Sequence, residues 1–207
     1  MAKKGGNLLI SKEVEDKWKA IINPKKVTIN WFLAEFIRGK KKHKLVMFKS
    51  GKKGFSELIS VLGPINNKAL FGSLRITLND KDGKAYTKFI YLRYLGSKVS
   101  VMVKGQLTPC LGSIDDVFGI KHIQYDIDED LNSFNKQNIA KQFDRVSENI
   151  VSVDYYDFGD NEPYKLQAEQ LVASIKPLKV VKGGAIKNNN NNNDNNNATN
   201  DDEKVND

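Results

Sequence analysis

The chain has 207 residues, enough for one ordinary domain with extensions and hardly for two. Its composition, 40% hydrophobic and 28% charged, suits a packed core with polar segments, and no run reaches the roughly 18 apolar residues of a membrane span. The N-terminal residues lack the apolar stretch of a secretory signal and Cys110 has no second cysteine to pair with, so a reducing cytosol is the expected setting.

The net charge of +8 is unevenly placed. Residues 1–54 hold 15 lysines and arginines against four carboxylates, whereas the end from Asn188 is mildly acidic. A basic body favours acidic partners: nucleic acid, anionic lipid or an acidic protein surface.

In chain order, Val14, Trp18, Ile21 and Ile22 predict an amphipathic helix over residues 11–22, with Ser11 as N-cap and Asn23-Pro24 as its stop. Leu8, Leu9 and Ile10 are expected to staple its start or to pack onto a sheet. Residues 28–37 and 43–48 read as two strands joined at a lysine-rich, solvated hairpin tip, Lys40, Lys41 and Lys42. His43 stands among lysines with no ligand set around it. A helix over 55–62 buries Phe55, Leu58, Ile59 and Leu62; the glycines before it lack phosphate-loop spacing.

Residues 69–78 alternate, placing Leu70, Leu74, Ile76 and Leu78 on one side. A turn at 79–83 leads to 88–95, which is apolar on both faces apart from Arg93 and therefore expected to be covered on both sides. This hairpin is predicted to be the centre of a mixed sheet. Residues 97–119 look irregular: Val99, Val101 and Val103 alternate, Gly105 and Pro109 interrupt, and a short helix over 113–118 ends at Gly119. A last short strand at 121–125 holds His122 in a structural role. The acidic cluster 126–130 has Leu131 and Gln137 where a calcium loop needs Gly and Glu, so it reads as a turn before a helix over 133–146. Phe134, Ile139, Phe143 and Val146 are that helix's apolar positions, and Lys136, Lys141 and Arg145 its basic stripe.

Beyond residue 148 the expectations are an extended segment at 150–153, a turn at 155–159 and a helix over 163–175. The Asn-rich stretch from 182 cannot bury apolar surface and is expected to be disordered. The organisation is thus an N-terminal extension (1–10), a domain (11–147), a partly ordered extension (148–181) and a tail (182–207). Two histidines, one cysteine and no hydrolase, zinc or paired-cysteine motif point to a protein without catalysis, cofactor or metal.

The order of elements carries a resemblance. Asn30-Trp31 and Phe36, then Gly54, Phe55, Glu57 and Leu58, the strand 70–77, the run 88–96, and Gly119 to His122 with Asp130-Leu131 together resemble the actin-depolymerising factor homology domain. The likeness spans residues 11–145 and is strongest to the coactosin branch. It implies a five-stranded mixed sheet between helices, of α+β type, in a monomeric, cytoplasmic, cytoskeletal protein that binds actin, the filament more than the monomer. In that branch a lysine-rich stretch entering the fourth strand matters for filament contact. Lys88 matches its last lysine, while Ala85 falls where an earlier one stands and Lys84 is one step away. Relatives carry a long, lysine-bearing helix after that strand. Here Gly105, Pro109 and Gly112 fall in that region with Lys104 alone, followed by Asp115 and Asp116, and these departures speak against severing and monomer binding. The implied actin-binding residues are Lys84, Lys88, Lys104, Lys136, Lys141 and Arg145. Two other readings are a basic module for anionic phospholipid or nucleic acid, and a scaffold that has kept this fold and lost actin.

Overall fold

The computed structural model describes residues 7–25, 27–127, 131–146 and 153–166. Its centre is the expected hairpin, β4 (Ala69–Asp80) and β5 (Ala85–Leu95), paired antiparallel over its whole length. The other strands are β1 (Leu8–Ile10), β2 (Trp31–Ile37), β3 (His43–Gly51), β6 (Ile123–Ile127) and β7 (Val153–Asp157). Among the described residues they form one mixed sheet in the order β1-β3-β2-β4-β5-β6, with β7 paired to β4. Pairs β1–β3 and β5–β6 are parallel.

The helices are α1 (Lys12–Ile22), α2 (Gly54–Leu62), α3 (Val101–Leu107), α4 (Leu111–Val117) and α5 (Lys136–Val146). Strand alternation sorts the core into two layers. Leu70, Leu74, Ile76 and Leu78 of β4 join Leu58 and Leu62 of α2 and Ile139, Ala140 and Phe143 of α5 on one face. Phe71 of β4, Tyr91 of β5 and Phe32 of β2 join Val14 and Ile21 of α1 and Ile114 of α4 on the other. The helix-covered mixed sheet is therefore as expected, but with seven strands instead of five.

The two additional strands have separate causes. Leu8–Ile10 is too short to show a period, yet it lines up beside β3 as Leu8 opposite His43 and Ile10 opposite Leu45. At the other strand, β4 outruns its neighbour: β2 pairs only with residues 70–74, leaving Thr77 to Asp80 an open edge. β7 fills that edge, so Tyr155 to Asp157 are extended instead of turning, and the positive φ of 78° comes later, at Gly159. Residues 163–166 are not helical; Tyr164 bridges back to Tyr156. The rest of the helix expected to 175, most of the extended segment at 150–153, the acidic residues 128–130 and the Asn-rich tail lie outside the described residues.

Residues 97–119 depart most from expectation. Val101–Leu107, a 3-10 turn at Thr108–Cys110 and Leu111–Val117 follow one another as a nearly continuous helical run. Pro109 sits in the tight turn, and the run holds because Leu107, Cys110, Ile114 and Phe118 bury a common stripe against the sheet. His43 opens β3 as expected; it is buried against Phe36, and its Nδ1 accepts from the Gly39 N–H at 3.3 Å.

Arg75 of β4 is buried and reaches the end of α1, where its Nη1 donates to the carbonyls of Ile21 (3.2 Å) and Asn23 (3.1 Å). These are terminal carbonyls that α1 itself cannot satisfy. Arg75→Met keeps the aliphatic stem and strands them, so urea unfolding is expected to give a loss of about 2 kcal/mol.

Candidate functional site

The rim begins at the β4–β5 turn. The Asp80 carboxylate accepts from the Lys84 N–H (2.7 Å) and from the Tyr86 hydroxyl (3.3 Å), and Gly83, at φ 79°, completes the turn. Lys84 is thus held at an exposed tip beside a carboxylate. Four residues on, Lys88 lies opposite Ile76, which places it on the sheet face covered by α2 and α5. Lys88 is half-buried, and among the described residues no carboxylate lies within ion-pair distance of it.

The last helix begins at Lys136, three residues later than expected, because Asn135 acts as its cap by accepting the Asn138 N–H at 2.8 Å. Ile139, Ala140 and Phe143 point into the core, and Lys141 and Arg145, one turn apart, remain on the outside. Lys136 is not free. Its ammonium lies 2.6 Å from Asp160 and 5.8 Å from the centre of the Phe158 ring. The predicted basic stripe is therefore reduced to Lys141 and Arg145.

Lys104 is carried by α3 and so belongs to the opposite face of the sheet from Lys88 and α5. The α3–α4 run presents two further groups that sequence reading missed. Val101 and Met102, at its N-terminal end, are 86% and 56% exposed. The signal was there in Ser100, whose hydroxyl accepts the Val103 N–H as a helix N-cap. Asp115, read as an outward charge, is turned inward: it pairs with Arg93 (3.6 Å) and Lys121 (3.9 Å), and Lys121 also lies over the Tyr91 ring. Burial and the Asp115 carboxylate push the Tyr91 hydroxyl well above its ordinary range. Only Asp116 of that pair remains exposed.

Beside Lys88, His122 joins the start of β6 to β5: its ring Nδ1 accepts from the Phe89 N–H (3.0 Å), and its backbone N–H donates to the Phe89 carbonyl (2.9 Å). Partial burial and the Lys88 ammonium hold its pKa below the ordinary 6.5. A histidine kept neutral by folding stabilises the native state fully above pH 6.5, and that contribution is lost as pH falls from 6.5 toward the lower folded value. Wild-type melting temperature is expected to fall between pH 7 and pH 5 by more than that of His122→Asn, and NMR should place the His122 midpoint below 6.5.

Among the described residues no group of His, Cys, Asp and Glu could hold a metal ion, and no helix is long and apolar enough to cross a membrane. The described part of the extension packs Tyr156 and Phe158 on the α2–α5 face, so it leaves the α3–α4 face uncovered.

A mixed sheet covered on both faces by helices is the fold of the actin-depolymerising factor homology class, similar in fold to coactosin. Residues 7–143 match the model of the cofilin/tropomyosin-type actin-binding proteins, and the chain belongs to that family. Among solved structures it is similar to coactosin from Entamoeba histolytica, at 18% identity and a TM-score of 0.57, covering 69% of this chain and 98% of that one. Mouse coactosin, described as an actin filament binding protein, aligns at 16% identity and a TM-score of 0.52, over 68% of this chain and 92% of that one. Human coactosin-like protein gives 16% and 0.51, over 66% and 97%. At these identities the likeness is one of fold. No curated protein sequence matches the chain.

Proposed function

We propose that this protein binds the sides of actin filaments through Lys88 and its neighbours, without catalysis, as a monomeric cytoplasmic component of the cytoskeleton. The observation that carries the reading is Lys88 itself. It is a half-buried lysine with no carboxylate in ion-pair reach among the described residues, on the face that α5, the helix of Lys141 and Arg145, also covers. A cation held on a rigid strand without an internal partner is suited to a carboxylate on another molecule. Lys84 contributes from the hairpin tip, with Asp80 beside it moderating its charge. Lys104 and the Val101–Met102 end lie on the other face and form a separate, weaker contact. That one cation of the run is set against the multiple lysines of a severing surface, so filament sides are preferred over monomers. The functional domain takes in residues 153–166, beyond the family match, with Val153–Asp157 as the strand paired to the end of β4.

The test is co-sedimentation with filamentous actin across a salt series. Pelleting should be strong at low ionic strength and weaken toward physiological salt, where charges more than about 8 Å apart are screened. Failure to pellet at low salt overturns the proposal.

A further inference from the structure

The segment beyond the family match, residues 153–166, carries four carboxylates, Asp154, Asp157, Asp160 and Glu162, against Lys165. One of the four is brought to the side of the sheet that holds Lys88. Asp157 lies opposite Thr77 of β4, and the neighbouring Ile76 lies opposite Lys88, so the chain leaves β7 beside the row of Lys88. It buries Phe158 there and turns at Gly159. The next residue, Asp160, divides its two oxygens. Oδ1 accepts the Ser56 N–H at 2.9 Å, a donor that the first turn of α2 cannot satisfy itself, while Oδ2 lies 2.6 Å from the Lys136 ammonium. The Asp160 side chain is 10% exposed and that of Lys136 25%.

We infer that Asp160 is an autoinhibitory contact: it occupies Lys136 as a filament carboxylate would, and so sets how many cations this face offers. The inference rests on the filament reading of Lys88 and deepens it. Capping α2 needs an acceptor and no charge, and an amide or hydroxyl oxygen would serve. The negative charge is required only by Lys136. An ion pair this far from water adds little stability over an uncharged contact, because both ions lose their hydration. What it does is remove an ammonium from the reach of an outside carboxylate. The Phe158 ring assists, since Lys136 lies over it at 5.8 Å from the centroid and is kept against the extension. Lys136 opens α5, the helix of Lys141 and Arg145, so its release adds a third cation to that helix's share of the contact.

The experiment is filament pelleting by the full chain carrying Asp160→Asn, which keeps an acceptor for the Ser56 N–H and removes the charge. Affinity at low salt is expected to rise about three- to tenfold over wild type, and to fall more steeply as salt is added, because one more cation takes part. Asp160→Ser, with a hydroxyl acceptor, should give the same rise. Both should melt no more than a few degrees below wild type. Adding Lys136→Met to Asp160→Asn should remove the gain. If wild type pellets and neither Asp160 variant pellets better, this inference is overturned and the filament reading stands. A gain that survives Lys136→Met overturns it too, since the carboxylate would then act by repulsion and not through Lys136. So does a collapse of melting temperature in both variants, which would make the charge structural. If wild type and variants alike fail to pellet at low salt, the filament reading fails and this one with it.

Discussion

Phe158→Ala is expected to destabilise the protein by about 3–5 kcal/mol, the range for removing a fully buried aromatic side chain. Phe158 has no exposed surface although it lies beyond the family match, and its ring packs against Phe55 of α2 (5.8 Å between centres), Tyr156 (6.3 Å) and Tyr164 (6.1 Å). Its backbone matters as much. The Phe158 carbonyl accepts the Phe55 N–H at 3.1 Å, and Asp160 Oδ1 accepts the Ser56 N–H at 2.9 Å. The extension thus supplies, from about a hundred residues away, the acceptors that the first turn of α2 lacks. Gly54 permits the approach: its φ is +69°, and a Cβ there would stand 2.3 Å from the Phe158 carbonyl oxygen. Thermal unfolding of Phe158→Ala should fall by about 10 °C or more. Tyr155→Ala, at a half-buried position of the preceding strand β7, should cost far less. A loss at Phe158 as small as that at Tyr155 would mean that the extension is a surface addition and not part of the core.

Lys88→Glu combined with Arg145→Glu is expected to lower filament affinity at least about thirtyfold at low salt, with the melting temperature changed by only a few degrees. Placing two carboxylates where an acidic polymer should meet two cations adds repulsion to lost attraction. Neither residue has an ion-pair partner among the described residues, so the substitutions strand no internal charge. Lys136→Ala provides the contrast. Its ammonium is already held by Asp160, which is itself largely buried, so this change should cost stability and leave filament affinity nearly intact. Unaltered pelleting by the Lys88/Arg145 double would move the filament contact away from this rim.

The elements that could be read from the chain were those whose periodicity is local. The 69–95 hairpin, the helix bearing Val14, Trp18 and Ile21, and the stripe of Phe55, Leu58 and Leu62 each announce themselves within about a dozen residues, because one face of each must leave water. The α3–α4 run escaped because Gly105 and Pro109 carry strong breaking tendencies, and these were outweighed by the burial of Leu107, Cys110, Ile114 and Phe118, visible only once the sheet is beneath them. Of the six candidate site residues, the chain itself marked them as basic and placed them in order. Their grouping was not legible: Lys88 shares a face with Lys141 and Arg145, Lys104 lies across the sheet, and Lys136 is taken by Asp160.

By itself, then, the amino-acid sequence determined the strands and helices whose apolar period is local, with the 69–95 hairpin at their centre, and that the body is basic. Those properties arise from neighbours a few residues apart. The tertiary structure decided which charges remain available to a partner. Asp115 is consumed by Arg93 and Lys121, and Lys136 by Asp160, because an ion pair depends on distance in space, and these partners are brought together only when the sheet and its helices pack.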